Sequence, residues 1–300
     1  AMDVQRDRSP RIYPVDLQAH SNCSDGTDSP EELIDKAAAL GIRVLAVTDH
    51  DSVLGVAAAQ ARGAETGVHV LPAVEFSTSR DRENDFRDFD IIGYGIDPTN
   101  PTLLATLNRL KDSRIEQKSR QVERLQSYGL RVPLDEVLAL AEGVPGRPHI
   151  AQIALKYNPH KFTSLSDVFQ QYLASDAENP THVPRPFILG VIEAIELTHA
   201  AGGKAVLAHP GIYRRIRSLE ESLARLVDVG LDGLEIQYPY APEGRDSTDR
   251  PIACFAELAA RFGLFETGGS DYHGERKPNR LGEAGLEWEQ WQRLQELNGW

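Results

Sequence analysis

Acidic residues and histidines recur in this chain in three short clusters, each of which follows an apolar run. The clusters read Asp16-Leu17-Gln18-Ala19-His20 with Ser24-Asp25-Gly26 after it, then Thr48-Asp49-His50-Asp51, and finally Gly269-Ser270-Asp271-Tyr272-His273. Glu75 and His209 each follow a further apolar run. Carboxylates and imidazoles together are the ligands of a mixed nitrogen and oxygen metal site. If the apolar runs are neighbouring strands, their ends converge, and the pattern then indicates a hydrolase with several metal ions.

Length and composition indicate a globular chain without a membrane segment. Hydrophobic residues make up 41% of the 300 residues, and no apolar run approaches the roughly 18–20 residues of a membrane helix. The first residues lack the basic-then-apolar pattern of a signal peptide, and Cys23 and Cys254 are too few for a disulfide framework. We therefore expect a cytoplasmic protein with no membrane partner. The sequence does not indicate an oligomeric state.

The formal net charge is −13, which argues against a protein that grips long nucleic acid through its overall electrostatic field. A short phosphorylated substrate is still compatible with this charge, because bound divalent cations invert the local potential.

The apolar runs alternate with helical patterns, as in α/β proteins whose strands lie parallel. Strands are predicted at residues 13–18, 44–48, 68–75, 89–96, 204–208, 233–237 and 264–268. Helices are predicted to begin after Ser29 and end near residue 40, and to cover 53–66, 188–201, 219–229 and 251–262. Capping boxes at Ser29 and Ser218 mark two of the helix starts. This alternation favours a barrel or a doubly wound sheet.

The stretch 100–186 interrupts the alternation with helical patterns at 103–128, 134–142, 149–156 and 165–173. We therefore predict that residues 12–99 and 187–300 form the strand-containing domain and that 100–186 is a helical insertion. Insertions of this kind often cap a site and contact the substrate.

The candidate ligands share one position, at or just after the carboxyl end of a predicted strand: His20, His50, Glu75, His209, Asp271 and His273. In parallel α/β folds and barrels, catalytic groups gather at that edge. A single histidine after a strand is more often a capping or hydrogen-bonding residue, and Thr48-Asp49-His50-Asp51 alone fits the start of a helix. The recurrence of the same residue types at one edge favours a metal site over these separate roles.

These motifs resemble the PHP (polymerase and histidinol phosphatase) superfamily, and within it the small nucleotide phosphoesterases. The similarity rests on the three clusters, on the strand end at Glu75 and on Gly202-Gly203-Lys204-Ala205-Val206-Leu207-Ala208-His209-Pro210-Gly211, and it spans nearly the whole chain. It implies an α/β fold, a distorted (β/α)7 barrel with a helical insertion. It also implies two or three divalent ions (Mn²⁺, Mg²⁺, Fe²⁺ or Zn²⁺) at the mouth and phosphoester hydrolysis by a metal-bound hydroxide.

Carried over to this sequence, the resemblance assigns three ligand sets: His20, Glu75 and Asp271 with Gln18; Glu75 and His209 with Asp90; and Asp25, His50 and His273. Asp25, Glu75 and Asp271 are the expected catalytic carboxylates. Gln18 and Asp90 stand where the family usually has histidine. The Gln18 amide oxygen is a weaker donor than imidazole, and the shorter reach of Asp90 changes the geometry of its set. A site filled by two ions, or a degraded site, is the alternative to three ions.

The segment Arg147-Pro148-His149 matches the family's Arg-x-His segment that contacts substrate phosphate, so Arg147 and His149 are predicted to bind substrate. The guanidinium fork of arginine fits a phosphate bidentately. The alternative is the start of a surface helix with Pro148 in its first turn. Arg214 and Arg215, which follow His209-Pro210-Gly211, are further candidates for substrate binding.

The expected function is hydrolysis of a small phosphorylated metabolite by a metal-dependent phosphoesterase. By resemblance alone, the substrate is a nucleotide: a nucleoside 3′,5′-bisphosphate, a nucleoside monophosphate or a short oligonucleotide. One alternative is a sugar or histidinol phosphate phosphatase with the same metals. The other is a non-catalytic metal- or nucleotide-binding module, resembling the inactive PHP domains attached to some polymerases.

Overall fold

The computed structural model describes residues 10–84, 86–141, 144–214 and 216–300. Seven strands form one sheet in sequential order: β1 (Val15–Ala19), β2 (Val44–Val47), β3 (His69–Ser77), β4 (Asp90–Tyr94), β5 (Lys204–Leu207), β6 (Gly233–Gln237) and β7 (Phe265–Gly268). The α-helices are α1 (Pro30–Ala39), α2 (Val56–Thr66), α3 (Pro101–Ser127), α4 (Leu134–Ala141), α5 (Arg147–Tyr157), α6 (Leu165–Val168), α7 (Val191–Ala200), α8 (Leu219–Asp228), α9 (Ile252–Phe262) and α10 (Trp288–Asn298).

The sheet curves until its two edge strands are joined by the segment that follows β7. The N–H of Asp271 donates to the carbonyl of Gln18 at 2.8 Å, and the N–H of His20 donates to the carbonyl of Tyr272 at 2.8 Å. Gly269 permits this approach, because a Cβ at that position would stand 2.4 Å from the nitrogen of Gln18. The sequential strand order differs from the reversed order of a doubly wound sheet. The predicted α/β fold, a distorted seven-stranded barrel, is confirmed.

Strand β4 runs antiparallel to both of its neighbours, whereas the sequence pattern predicts parallel strands throughout. The described residues between β3 and β4 contain no helix. The chain therefore returns beside β3 in the opposite direction, since a parallel neighbour requires a longer crossover. As a result, the first residue of β4, Asp90, lies at the edge where the parallel strands end.

Alternate strand residues belong to different buried clusters. One cluster joins side chains of several strands to the C-terminal helix: Val44, Ala46, Leu71, Ala73, Ile92, Tyr94, Val206, Ala208, Trp291 and Leu294. The intervening residues Val74, Phe76, Leu207 and Leu234 pack with helices around the sheet. The Trp291 ring centroid lies 5.8 Å from that of His69, the first residue of β3. Helix α10, which the sequence pattern does not predict, therefore closes the barrel at the end opposite the predicted site.

The predicted insertion is mostly helical. Helix α3 begins with Pro101, and the side chain of Asn100 accepts a hydrogen bond from the N–H of Leu103. Helix α6 continues into a π-helical turn at Phe169–Leu173, where the sequence predicts a single helix. Residues between Val122 and Leu173 form a buried cluster of their own. The division of the chain at residues 100 and 186 remains a prediction.

None of the helices in the described parts of the chain combines the length and the apolar character that a membrane span requires.

Candidate metal centre

The structure brings the predicted metal ligands together at one mouth of the barrel. Glu75 lies in β3, His20 directly follows β1, and Asp90 begins β4. The two positions that depart from the family pattern, Gln18 and Asp90, also face this cluster, since Gln18 lies against Glu75 and Asp90 against His209.

Two groups of ligand atoms share the carboxylate of Glu75. In the first, Nε2 of His20 lies 3.1 Å from Oε2 of Glu75 and 3.1 Å from Oδ1 of Asp271. In the second, Nε2 of His209 lies 3.4 Å from Oε1 of Glu75 and 3.7 Å from Oδ2 of Asp90. Within each group, the ligand atoms lie within 4.8 Å of one another. The two oxygens of Glu75 therefore face different groups, as the predicted bridging role requires.

A third group surrounds Asp25. Nε2 of His273 lies 3.2 Å from Oδ1 of Asp25, and Nε2 of His50 lies 3.9 Å from Oδ2. His20 also belongs to this group, with Nδ1 at 3.6 Å from Oδ1 of Asp25. The His20 ring stacks on the His273 ring at a centroid distance of 4.0 Å. The third predicted set is thus assembled, with His20 as an additional member.

Several ligand atoms are buried without a hydrogen-bond partner: both ring nitrogens of His20, Oε2 of Glu75 and Nε2 of His273. A buried polar atom left unpaired costs about 1–3 kcal/mol, so a concentration of them marks a place where partners are missing. Imidazole nitrogens and carboxylate oxygens at these spacings are the donor set of a divalent transition-metal ion. The residues present therefore fit divalent metal ions.

Hydrogen bonds behind the ligands orient them. Nδ1 of His273 lies 2.8 Å from the backbone carbonyl of Asp271, which places the proton on Nδ1 and leaves the Nε2 lone pair facing Asp25. Oδ2 of Asp271 accepts hydrogen bonds from the hydroxyl of Tyr238 and the ammonium of Lys277, both at 2.8 Å. Oδ1 of Asp271 is thereby left for the group that contains His20.

Three non-glycine residues at this mouth have positive φ angles: Asp51 (+50°), His209 (+29°) and Asp271 (+53°). Side chains other than glycine adopt this region at a cost of about 1–3 kcal/mol, and such strain concentrates at functional sites. Two of the three residues are predicted ligands, so the fold holds strained backbone where it presents these side chains.

Opposing charges shift the pKa values of the cluster. Burial alone would raise the pKa of Glu75, but the neighbouring histidines, His50 above all, hold it well below its usual range. Burial and the charge of Glu75 raise the pKa of Asp90 to about 6. Although burial opposes it, Glu75 raises the pKa of His209 to about 9. The carboxylates therefore favour positive charge beside them, which is what a cation site requires.

Glu235, which the sequence analysis does not single out, lies behind this cluster. It is fully buried in β6, and its Oε2 accepts the backbone N–H of His209 at 2.7 Å. Burial, opposed by the charge of His209, raises the pKa of Glu235. The signal in the sequence is a charged residue in the middle of the otherwise buried strand Gly233–Gln237.

A cavity of about 450 Å³ extends from the ligand groups to the helical insertion. Its lining includes the basic side chains of Arg114, Lys118, Arg147 and Arg245. We call these four residues, together with the adjacent Arg185, the basic wall. The carboxylates Asp25, Glu75, Asp90 and Asp271 of the ligand groups line the same cavity, as do Asp88, Asp246 and Lys277.

The structure places two of the predicted substrate-binding residues, Arg147 and His149, in different surroundings. Arg147 lines the cavity and donates to the carbonyl of Leu173 at 3.2 Å. His149 is buried, and its Nδ1 accepts the N–H of Gly146 at 2.9 Å, which caps α5.

Arg214 is not brought to the metal-ligand groups. Its guanidinium donates to the carbonyls of Gly244 and Ser247 at 3.0 and 2.9 Å, and it lines a different cavity. The loop after β6 accepts these hydrogen bonds from Nη2 of Arg214, and substrate contact by Arg214 stays a prediction. Arg215 lies outside the described residues.

Comparisons with known proteins agree with this geometry. The family model of the PHP domain matches residues 16–179. The 3′,5′-nucleoside bisphosphate phosphatase of Chromobacterium violaceum is 33% identical over 271 residues, which cover 89% of each chain. The 5′-3′ exoribonuclease Rnm of Escherichia coli is 31% identical over 292 residues, or 93% of this chain and 94% of the relative.

A crystal structure of a proposed metal-dependent phosphoesterase from Bifidobacterium adolescentis superposes with a TM-score of 0.81. It is 30% identical and covers 96% of this chain and 97% of its own. The chain belongs to the PHP domain family, and the predicted class of enzyme, a metal-dependent phosphoesterase, is confirmed.

Proposed function

We propose that this enzyme hydrolyses a phosphoester of a small nucleotide that carries two phosphoryl groups, with a nucleoside 3′,5′-bisphosphate as the preferred substrate. The observation that carries the proposal is that four of the five residues of the basic wall line the same cavity as the metal-ligand groups. The scissile phosphoryl group is assigned to the metal-ligand end, and the second phosphoryl group to the basic wall. The relatives named as a bisphosphate phosphatase and an exoribonuclease support a nucleotide substrate.

The basic wall carries more positive charge than its neighbours balance. Lys118 is only 6% exposed, and burial together with repulsion from Arg114 and Arg147 lowers its pKa to about 7. Nη2 of Arg114 donates to Oδ2 of Asp51 at 2.8 Å, and Nη2 of Arg185 lies 3.6 Å from the same oxygen. Among the ion pairs of the described residues, Asp51 is the acidic partner of this wall. A bound anion would supply the missing charge and relieve the repulsion.

The side chains of this wall suit a phosphoryl group. Arg147 donates one hydrogen bond to a backbone carbonyl, which leaves other N–H groups of its fork for a phosphate. Lys118 provides a point charge on α3, and Arg245 reaches the cavity from the loop after β6. A monophosphate ester of a sugar or of histidinol lacks a group for this wall. The two-phosphoryl substrate is therefore favoured over the sugar or histidinol phosphate alternative.

The metal ions proposed for the ligand groups number two or three, and Mn²⁺, Mg²⁺, Fe²⁺ and Zn²⁺ all suit the nitrogen and oxygen donors. Bound divalent ions supply Lewis acidity and lower the pKa of a coordinated water. The residues of the chain position the ions and the substrate and limit access of solvent to the cavity. Cytoplasmic location remains our expectation, and long nucleic acid is an unsuitable partner because the cavity lies beneath the insertion.

The test is phosphate release from a matched set of substrates. The set comprises one nucleoside 3′,5′-bisphosphate, its 3′- and 5′-monophosphates, a 5′-phosphorylated short oligonucleotide and histidinol phosphate, each with Mn²⁺ and with chelator. We expect chelator-sensitive turnover, with kcat/KM for the bisphosphate at least about tenfold above that of either monophosphate, since a buried charge-assisted contact contributes more than 1.4 kcal/mol.

Two variants connect this preference to the basic wall. Lys118→Met is expected to reduce the preference for the bisphosphate, whereas Lys111→Met, on the same helix but outside the cavity lining, should leave it unchanged. Equal kcat/KM for bisphosphate and monophosphates would refute the two-phosphoryl assignment. If the metal-loaded protein released no phosphate from any substrate of the set, the non-catalytic binding module would be favoured.

A further inference from the structure

Gln18 occupies a position between two carboxylates at the centre of the site. It is fully buried, and one atom of its amide group lies 3.3 Å from Oε1 of Glu75. The other amide atom faces both carboxylate oxygens of Glu235, at 2.7 and 2.9 Å. The nitrogen and the oxygen of an amide are told apart by their hydrogen-bond partners. The partners of Gln18 therefore decide which atom is presented to the metal-ligand groups.

The carboxylate of Glu235 settles this orientation. With the nitrogen toward Glu235, the amide donates to Oε1 at 2.7 Å and to Oε2 at 2.9 Å. With the oxygen toward Glu235, at least one oxygen of Glu235 would face it at 2.7 or 2.9 Å with no hydrogen between them, whether or not the carboxyl group carries its single proton, which is repulsive in a buried site. The nitrogen therefore faces Glu235, and the amide oxygen faces Glu75. Two buried oxygens that face each other without a hydrogen between them are arranged as two ligands of one cation.

We propose that Glu235 is a positioning residue of the metal centre: it holds the amide nitrogen of Gln18 so that the amide oxygen becomes a ligand of the ion bound by His20, Glu75 and Asp271. The inference rests on the metal centre of the proposed function. In this arrangement Gln18 offers an amide oxygen where the family usually has an imidazole, and the carboxylate of Glu235 sets the direction of that oxygen.

Glu235 is suited to this role because its own orientation does not depend on Gln18. Its Oε2 also accepts the backbone N–H of His209 at 2.7 Å, and β6 is paired with β5 directly before His209. The side chain is fully buried, so solvent does not compete for its oxygens. A glutamine amide would otherwise lose rotational freedom on binding a metal, and a partner that has already fixed it lowers that cost.

An oxygen ligand in place of imidazole also has a consequence for the choice of metal. Imidazole suits Zn²⁺, whereas carboxylate and carbonyl oxygens suit Mg²⁺ and Mn²⁺. The amide of Gln18 therefore shifts its ligand group toward the harder ions. Gln18→His is expected to raise the affinity for Zn²⁺ relative to Mn²⁺.

The test is a titration of the chelator-stripped protein with Mn²⁺, in which electron paramagnetic resonance measures the concentration of free Mn²⁺ at each point. The wild type, Glu235→Gln, Gln18→Ala and the double variant form a mutant cycle. Glu235→Gln is expected to raise the Kd of one Mn²⁺ by about 10–100-fold, as the loss of an outer partner of a ligand does. In the Gln18→Ala background, the same change should raise that Kd by less than about threefold, because the group through which Glu235 acts is gone.

The cycle separates Gln18 from His209, the other partner of Glu235. If Glu235→Gln weakens Mn²⁺ binding as much in the Gln18→Ala background as in the wild type, Glu235 acts through His209 and the proposal is overturned. Thermal unfolding in chelator checks that the variants fold. If Glu235→Gln does not fold, Glu235→Asp takes its place. The shorter side chain keeps the negative charge but moves it away from the amide of Gln18, so Mn²⁺ binding should also weaken. An unchanged Mn²⁺ affinity of this variant overturns the proposal. The Mn²⁺ titration does not use phosphate release, so it tests the role of Glu235 even if the proposed substrate is wrong.

Discussion

Glu75 is the residue on which the occupancy of the site most depends. Its Oε2 faces His20 at 3.1 Å and its Oε1 faces His209 at 3.4 Å, so one carboxylate serves two ligand groups. A carboxylate in this position would provide a ligand to an ion in each group, and its loss would remove a charged ligand from both.

Glu75→Gln is therefore expected to lower the metal content by more than one ion per chain. Elemental analysis after dialysis against Mn²⁺ measures this directly. Glu65→Gln is the matched control, because the side chain of Glu65 is 66% exposed in α2 and should leave the metal content unchanged. Loss of a single ion would show that Glu75 binds one metal only.

The burial of Lys118 in the basic wall makes the stability of the folded protein depend on pH. The pKa of Lys118 is lowered from 10.5 to about 7, first by burial and then by the neighbouring arginines. Between these two values the unfolded chain binds a proton that the folded chain does not, so the stability of the wild type rises with pH across that range. Below pH 7 both states are protonated, and the full cost of burying the charge is present.

Lys118→Met is consequently expected to raise the free energy of unfolding near pH 6 by about 1–3 kcal/mol, since an apolar side chain of similar length replaces a poorly paired buried charge. The advantage should shrink as the pH approaches 10. Urea unfolding at several pH values between these limits measures it. A variant that is less stable than the wild type at pH 6 would indicate that Lys118 is well paired in the folded state.

At the scale of elements, buried strands were the most predictable feature. An apolar run such as Val44–Val47 identifies a strand that is covered on both faces. The direction of a strand is not encoded in such a run, because an apolar pattern is the same in both directions. The family pattern alone therefore predicts Asp90 as a ligand, while its presence at the mouth follows from the antiparallel course of β4.

The position of the basic wall, like the direction of β4, is not encoded in the local sequence pattern. Arg114 and Lys118 lie on α3, whose mixture of charged residues is typical of a solvated helix. Which of its faces covers the cavity depends on how the insertion packs on the barrel. The sequence does not single out Glu235 for a different reason, since one charged residue in a short buried strand is a weak signal on its own.

Helix α10 contributes to the fold at the end of the barrel opposite the site. Trp291 is 1% exposed and belongs to the cluster formed by Val15, Leu17 and the inner strands. Trp291→Ala is expected to cost about 3–5 kcal/mol in urea unfolding, as is usual for removal of a buried tryptophan. The Mn²⁺ content should not change. Leu297→Ala, in the same helix but 67% exposed, is the control and should cost less than about 0.5 kcal/mol.

The whole molecule has a formal charge of −13, and four of its carboxylates converge on the candidate metal centre: Asp25, Glu75, Asp90 and Asp271. Their mutual repulsion is part of the cost of folding the metal-free chain. Bound cations remove this cost, and they also stabilise the folded state by mass action.

Chelation is therefore expected to lower the thermal unfolding midpoint by several degrees, because ions at about 100 times their Kd contribute about 2.7 kcal/mol each. Re-addition of Mn²⁺ should restore the midpoint. The measurement is thermal unfolding with chelator, without it and after metal is returned. A midpoint that is insensitive to chelation would contradict occupancy of the ligand groups by tightly bound ions.

The helical segment from Val122 to Leu173 packs around a buried cluster of its own, separate from the clusters that hold the strands. Substitutions within that cluster are therefore expected to leave the packing of the ligand-bearing strands intact. By our proposal Arg147 of the basic wall lies in this segment, whereas all the candidate metal ligands lie outside it, so the two are free to diverge at different rates. Exchange of one such segment for another, over an unchanged barrel, is a short evolutionary path from one phosphoester to the next.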